Sequence, residues 1–85
     1  MDESYKALSM NFQSRLKNTI NAKIRCTVDI DEDKMYIEIC RLGLQYKTSI
    51  NGASSMLNDI SIIEKEFDKI VNKYRSFVTH KFFYD

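Results

Sequence analysis

Eighty-five residues, 44% hydrophobic and 29% charged, suffice for one small core and exclude a chain disordered throughout. Thirteen basic against twelve acidic side chains leave a formal charge of +1, spread as +2 over residues 1–23, −1 over 24–50 and zero over 51–85. This offers neither the dominant basic stripe of a typical nucleic-acid binder nor the acidity of a nucleic-acid mimic. The absence of a run of about 18 apolar residues excludes a membrane-spanning helix.

The N-terminus, MDESYK, lacks the apolar segment of a secretory signal. With two cysteines and no proline, the expected setting is reducing and cytoplasmic. Tyr5, Leu8, Phe12, Leu16 and Ile20 recur on one face at about 100° per residue and predict a helix over 4–21. Asp2, Glu3 and Ser4 suit its start, through capping and the helix dipole.

The period then changes to two. Ile24, Cys26, Val28 and Ile30 alternate with polar residues and predict a half-buried strand over 24–30. Asp31 to Lys34 read as a polar turn, and Met35, Ile37 and Ile39 continue the alternation in a strand over 35–41. Pairing Ile30 with Met35, Val28 with Ile37 and Cys26 with Ile39 places the apolar residues on one face. At Gly43 the apolar positions change parity, to Leu44, Tyr46 and Ile50. A turn at Leu42-Gly43 explains this, pairing Ile39 with Tyr46 and Met35 with Ile50; a bulge in one long strand explains it equally. The turn is preferred because it gives strands of equal length, the third over 44–50, although Leu is a poor turn residue.

Asn51-Gly52 ends the sheet, and Ser54 or Ser55 is expected to cap a last helix running to about Thr79. Met56, Ile60, Ile63, Phe67, Ile70, Tyr74 and Phe77 lie four and three residues apart along it, an apolar stripe. Acids fall early and Lys73, Arg75 and Lys81 late, as the dipole favours. The expectation is a single small α+β domain over residues 1–85. Its order is helix, three-stranded antiparallel meander and long C-terminal helix (αβββα), packed in two layers.

Candidate chemistry is sparse. Asp29, Asp31 and Asp33 have the spacing of a calcium loop, but Lys34 stands where that loop needs Gly and Cys40 where it needs Glu, so a solvated hairpin tip is expected. Cys26 faces the core and Cys40 the opposite side, which precludes a disulfide within the chain. One histidine leaves a zinc site short of ligands. Ser76 and His80 are four apart on the last helix but have no orienting acid or oxyanion site, and Glu64 and Asp68 are expected on an exposed face. No catalytic residue, metal site or cofactor is predicted, and the chain is not expected to be an enzyme.

The helix, three strands, helix order is similar to that of the double-stranded-RNA-binding domain. That family grips phosphates with a lysine cluster at the start of its last helix. Here the segment from Ala53 to Asp59 holds no lysine and one acid. The alternative nucleic-acid surface is Lys65, Lys69, Lys73 and Arg75, and the open sheet face (Arg25, Thr27, Tyr36, Glu38, Gln45, Lys47) has one aromatic for stacking.

A helix longer than the sheet beneath it leaves apolar side chains over. Those beyond the sheet are Tyr74, Phe77, Val78, Phe82, Phe83 and Tyr84, and aromatic side chains anchor protein interfaces. The functional expectation is a non-catalytic protein-interaction module. It self-associates, as a homodimer or larger homo-oligomer, or docks on and inhibits a larger protein, a role suited to a phage or mobile-element accessory protein.

Overall fold

The computed structural model describes residues 3–84; Met1, Asp2 and Asp85, and with them the expected part of Asp2 in starting the first helix, lie outside the described residues. Helix α1 (Glu3–Ile20) is followed by strands β1 (Lys23–Asp29), β2 (Lys34–Arg41) and β3 (Leu44–Asn51), a short 3-10 turn (Ala53–Met56) and helix α2 (Ile60–Phe83). The strands form one antiparallel sheet in the order β1-β2-β3, and both helices pack on the same face of it. The αβββα arrangement read from the periodicity is the one observed.

Leu8, Phe12, Leu16 and Ile20 of α1 are buried, as their spacing requires. Asn21 ends that helix in the left-handed conformation (φ 59°), its N–H bonding to the carbonyl of Lys17, and Arg41 reaches over to the carbonyl of Ile20 at 3.4 Å. The core joins these residues to Cys26 and Val28 of β1, to Met35, Ile37 and Ile39 of β2, and to Ile50, Ala53, Met56, Phe67, Ile70, Val71 and Tyr74.

The first hairpin is offset from the expected register by two residues. Val28 opposes Met35, Cys26 opposes Ile37 and Ile24 opposes Ile39. An even offset keeps each side chain on its face, so the core is unchanged. The register follows from the residue that can turn left-handed. Asp33 does so (φ 54°), as Asp tolerates and Lys34 does not readily, and Asp29 accepts the N–H of Glu32 inside the loop. The loop therefore spans residues 30–33, and Ile30 is left exposed in it.

The second hairpin has the expected register, Ile39 opposite Tyr46 and Met35 opposite Ile50. It is a turn and not a bulge: Leu42 (φ 53°) and Gly43 (φ 78°) are both left-handed, as a two-residue type I′ turn demands.

Neither Ser54 nor Ser55 caps the last helix. Gly52 turns left-handed (φ 73°) and starts the 3-10 turn instead. Asp33 fixes that turn: its carboxylate accepts both the N–H and the hydroxyl of Ser54, each at 2.8 Å, and its carbonyl accepts the N–H groups of Gly52 and Ala53. The hairpin tip is thus a clamp rather than a merely solvated loop. The cap of α2 is Asp59, whose Oδ1 accepts from the N–H groups of Ser61 and Ile62 and from the Ser61 hydroxyl. Helix α2 therefore begins later and ends later than the sequence suggested.

Candidate protein-docking surface

At about 1.5 Å per residue the 24 residues of α2 span roughly 36 Å, against about 26 Å for an eight-residue strand. Both ends of the helix carry exposed apolar side chains. Ile60 opens the helix 76% exposed, and Phe82, Phe83 and Tyr84 close it at 55%, 77% and 77%. Among the described residues the longest dimension of the molecule is 40 Å.

The distal half of α2 divides two grooves. On one side Ile20 at the end of α1, Leu42 and Leu44 at the β2–β3 turn, and Tyr74, Val78 and Phe82 of α2 enclose a mostly apolar groove of about 410 Å³. Arg41, Arg75, Thr19 and Thr79 edge it. On the other side Tyr46 of β3 meets Tyr74 edge-to-face at 6.0 Å and Phe77 at 4.9 Å between ring centres.

The expected contact residues therefore fall into three groups. Tyr74 is 5% exposed and supports the surface from below. Phe77 and Val78 are half-buried, one on each side of the helix. Phe82 lies on the apolar groove, whereas Phe83 falls about 100° further round and Tyr84 forms the helix C-cap, its ring 6.0 Å from that of His80. The tail is therefore not one continuous aromatic face.

The expected contact residues did not include Leu42. Its side chain is 76% exposed at the apex of the turn and lines the same groove as Phe82. An apolar side chain in a conformation suited to Gly or Asn was the available signal. Left-handed backbone costs a non-glycine residue about 1–2 kcal/mol, so this position places an exposed apolar group against local preference.

The basic set is dispersed. Lys69 and Lys73 flank Tyr46 and Phe77, Arg75 flanks the apolar groove on the other side, and Lys69 pairs with Glu66 at 3.7 Å. Lys65 is exposed further back on the helix. The acid Asp59 holds the helix start where a phosphate-gripping lysine would have to lie. On the open sheet face Lys47 lies 3.8 Å from Glu38, and the one aromatic, Tyr36, donates its hydroxyl to Glu32 at 2.6 Å.

Cys26 is buried, and desolvation pushes its thiol up to about 12, so it remains protonated and inert. Cys40 is free and exposed on the opposite face. Among the described residues no cluster of three or more histidine, cysteine or acidic side chains could hold a metal ion, and no helix is long and apolar enough to cross a membrane. No known protein family, curated protein or solved structure matches this chain.

Proposed function

We propose that this chain is a non-catalytic protein-interaction module that docks on a larger protein through the apolar groove between the β2–β3 turn and distal α2. The observation that carries the reading is Leu42, exposed and left-handed at the turn, with Phe82 across the same groove. Residues that defy local backbone preference without serving the core tend to serve a contact. Leu42 and Phe82 are large apolar groups at the edge of a groove whose floor, Tyr74, is already packed, so a partner's apolar side chain would meet a preformed surface. A reducing cellular interior and an inhibitory role, as in accessory proteins of phages and mobile elements, fit a small chain with two free cysteines.

The test is affinity capture from the native host with immobilised wild type and with Leu42→Asn and Phe82→Ser as parallel baits. A partner retained by the wild type and lost with both variants supports the docking site. Identical captured sets from all three baits, each shown to be folded, overturn it.

A further inference from the structure

The two edges of the sheet are finished differently. Helix α1 lies against β1, and the N–H of Cys26, which points away from β2, donates to Gln13 Oε1 at 3.1 Å. The β3 edge has no such cover. The two-residue turn closes on Arg41 and Leu44 as a hydrogen-bonded pair, so alternation along the ladder turns the N–H and C=O groups of Gln45, Lys47, Ser49 and Asn51 away from β2. No backbone hydrogen bond from elsewhere among the described residues reaches those groups. The core is open on the same side. Met35, Ile37 and Ile39 of β2 are wholly buried, whereas Leu44, Tyr46 and Thr48 beside them on β3 are half-buried. A shallow depression of about 660 Å³ opens beside Tyr46 and is otherwise lined by α2, with Phe77 in it and Lys69 and Lys73 on its rim.

The geometry points to a second copy of this chain as the occupant, its β3 pairing antiparallel to this one about a two-fold axis at Thr48. A two-fold axis requires an isologous contact, and two registers engage nearly the whole strand with outward groups meeting outward groups. One centres on Lys47 and sets like charges directly opposite. The other centres on Thr48, which then meets its own copy in a non-hydrogen-bonded pair. It sets Tyr46 against the second copy's Ile50, an aromatic against a β-branched side chain, and Lys47 against Ser49. Lys47 does not guard the edge as an edge lysine often does, because it lies toward Glu38 on the open face at 3.8 Å. The cost is the pair of lysines that each copy places on the rim, one of which is offset by Glu66. An edge of eight residues buries less than a standard interface, so the association is concentration-dependent.

Light scattering on the wild type should show a mass rising from 10.0 kDa toward twice that value with concentration. Ser49→Pro removes only an outward N–H and should hold the chain at the monomer mass with its circular dichroism intact. Non-hydrogen-bonded antiparallel pairs bring Cα atoms to about 4.5 Å, within disulfide range. In a Cys40→Ser background, Thr48→Cys should therefore link two chains under mild oxidation and Gln45→Cys should not. A wild type that stays monomeric at about 1 mM overturns the proposal. So does a dimer that survives Ser49→Pro, or linkage through Gln45→Cys as fast as through Thr48→Cys. Should the variants fail to fold, hydrogen exchange on the wild type decides: amides of Lys47 and Ser49 that slow with concentration support the pairing, and amides that do not respond overturn it. The distal groove is a separate surface, and Phe82→Ser should leave this association unchanged.

Discussion

The guanidinium carbon of Arg15 lies 4.2 Å from the centre of the Phe67 ring, so a cation on α1 covers the aromatic that α2 sends into the core. The same group donates to Glu64 Oε2 at 2.9 Å, and Phe67 stands edge-on to Phe12 at 6.0 Å. One side chain therefore joins the helices by a stacking contact and an ion pair. Both partners of the ion pair are partly exposed, which limits the pair to about 0–1 kcal/mol, while the cation–π contact contributes about 0.5–1 kcal/mol and the stem adds packing. Arg15→Ala should lower stability by about 1–2 kcal/mol and Glu64→Gln by less than half of that. Urea unfolding of the two variants checks it, and equal losses would assign the whole effect to the ion pair.

Asp33 ties the β1–β2 loop to the turn that launches α2. Its carboxylate takes two hydrogen bonds from Ser54 and its backbone is left-handed. Hydrogen bonds to a charged acceptor contribute about 1.5–3 kcal/mol net in favourable settings, so Asp33→Ala should cost about that much. Asp33→Gly separates the contributions, since glycine accepts the backbone angle but supplies no carboxylate. Stability recovered in the glycine variant would show that conformation, not the Ser54 contact, carries the effect. Urea midpoints measure both.

These residues also show how far the sequence could be read. Element order and burial were legible because they depend on periodicity: Leu8, Phe12 and Leu16 at helical spacing, Met35, Ile37 and Ile39 at strand spacing. The first register was not, because it depends on which loop residue turns left-handed, and an Asp-rich loop offers several candidates. The start of α2 was missed for a related reason. Ser54, Ser55 and Asp59 are all good caps, and only the distant contact of Asp33 with Ser54 consigns the serines to a separate turn. Of the surface read as a contact site, Phe82 lines a groove with Leu42 and Leu44 of the β2–β3 turn, whereas Tyr74 is in the core, where Tyr46 of β3 meets it. Leu42 joins the groove through strand pairing, which spacing along α2 could not reveal.

Leu42→Asn should move stability and docking in opposite directions. Asparagine is preferred at a left-handed turn position and removes an apolar group from water, so the variant should be more stable by up to about 1 kcal/mol. Retention of the captured partner should fall at the same time. A variant that loses stability would show that Leu42 packs for the fold, and the thermal midpoint beside the capture assay reads both.

The two cysteines should differ sharply in reactivity. Cys26 is buried with its thiol held protonated, whereas Cys40 is exposed. A thiol reagent at neutral pH should label one site per native chain, at Cys40, and two after denaturation. Peptide mapping of the native product assigns the site. Rapid native labelling of Cys26 would mean that the edge of the sheet where Gln13 meets β1 opens readily.

The α2 cap supplies the acid dependence. Hydrogen bonds from the Ser61 hydroxyl and from the N–H groups of Ile62 and Ser61 hold the Asp59 carboxyl below its ordinary range. A depressed folded-state value means that the unfolded chain takes up the proton first. The stabilisation is therefore complete above the unfolded value, near pH 4, and is lost as pH falls from there through the lower folded value. Asp59→Asn keeps a capping oxygen but no titrating charge. Its thermal midpoint should lie below that of the wild type at neutral pH, and the gap should close as acid is added. A gap that stays constant down to about pH 2 would show that the carboxylate charge at the cap contributes nothing to folding.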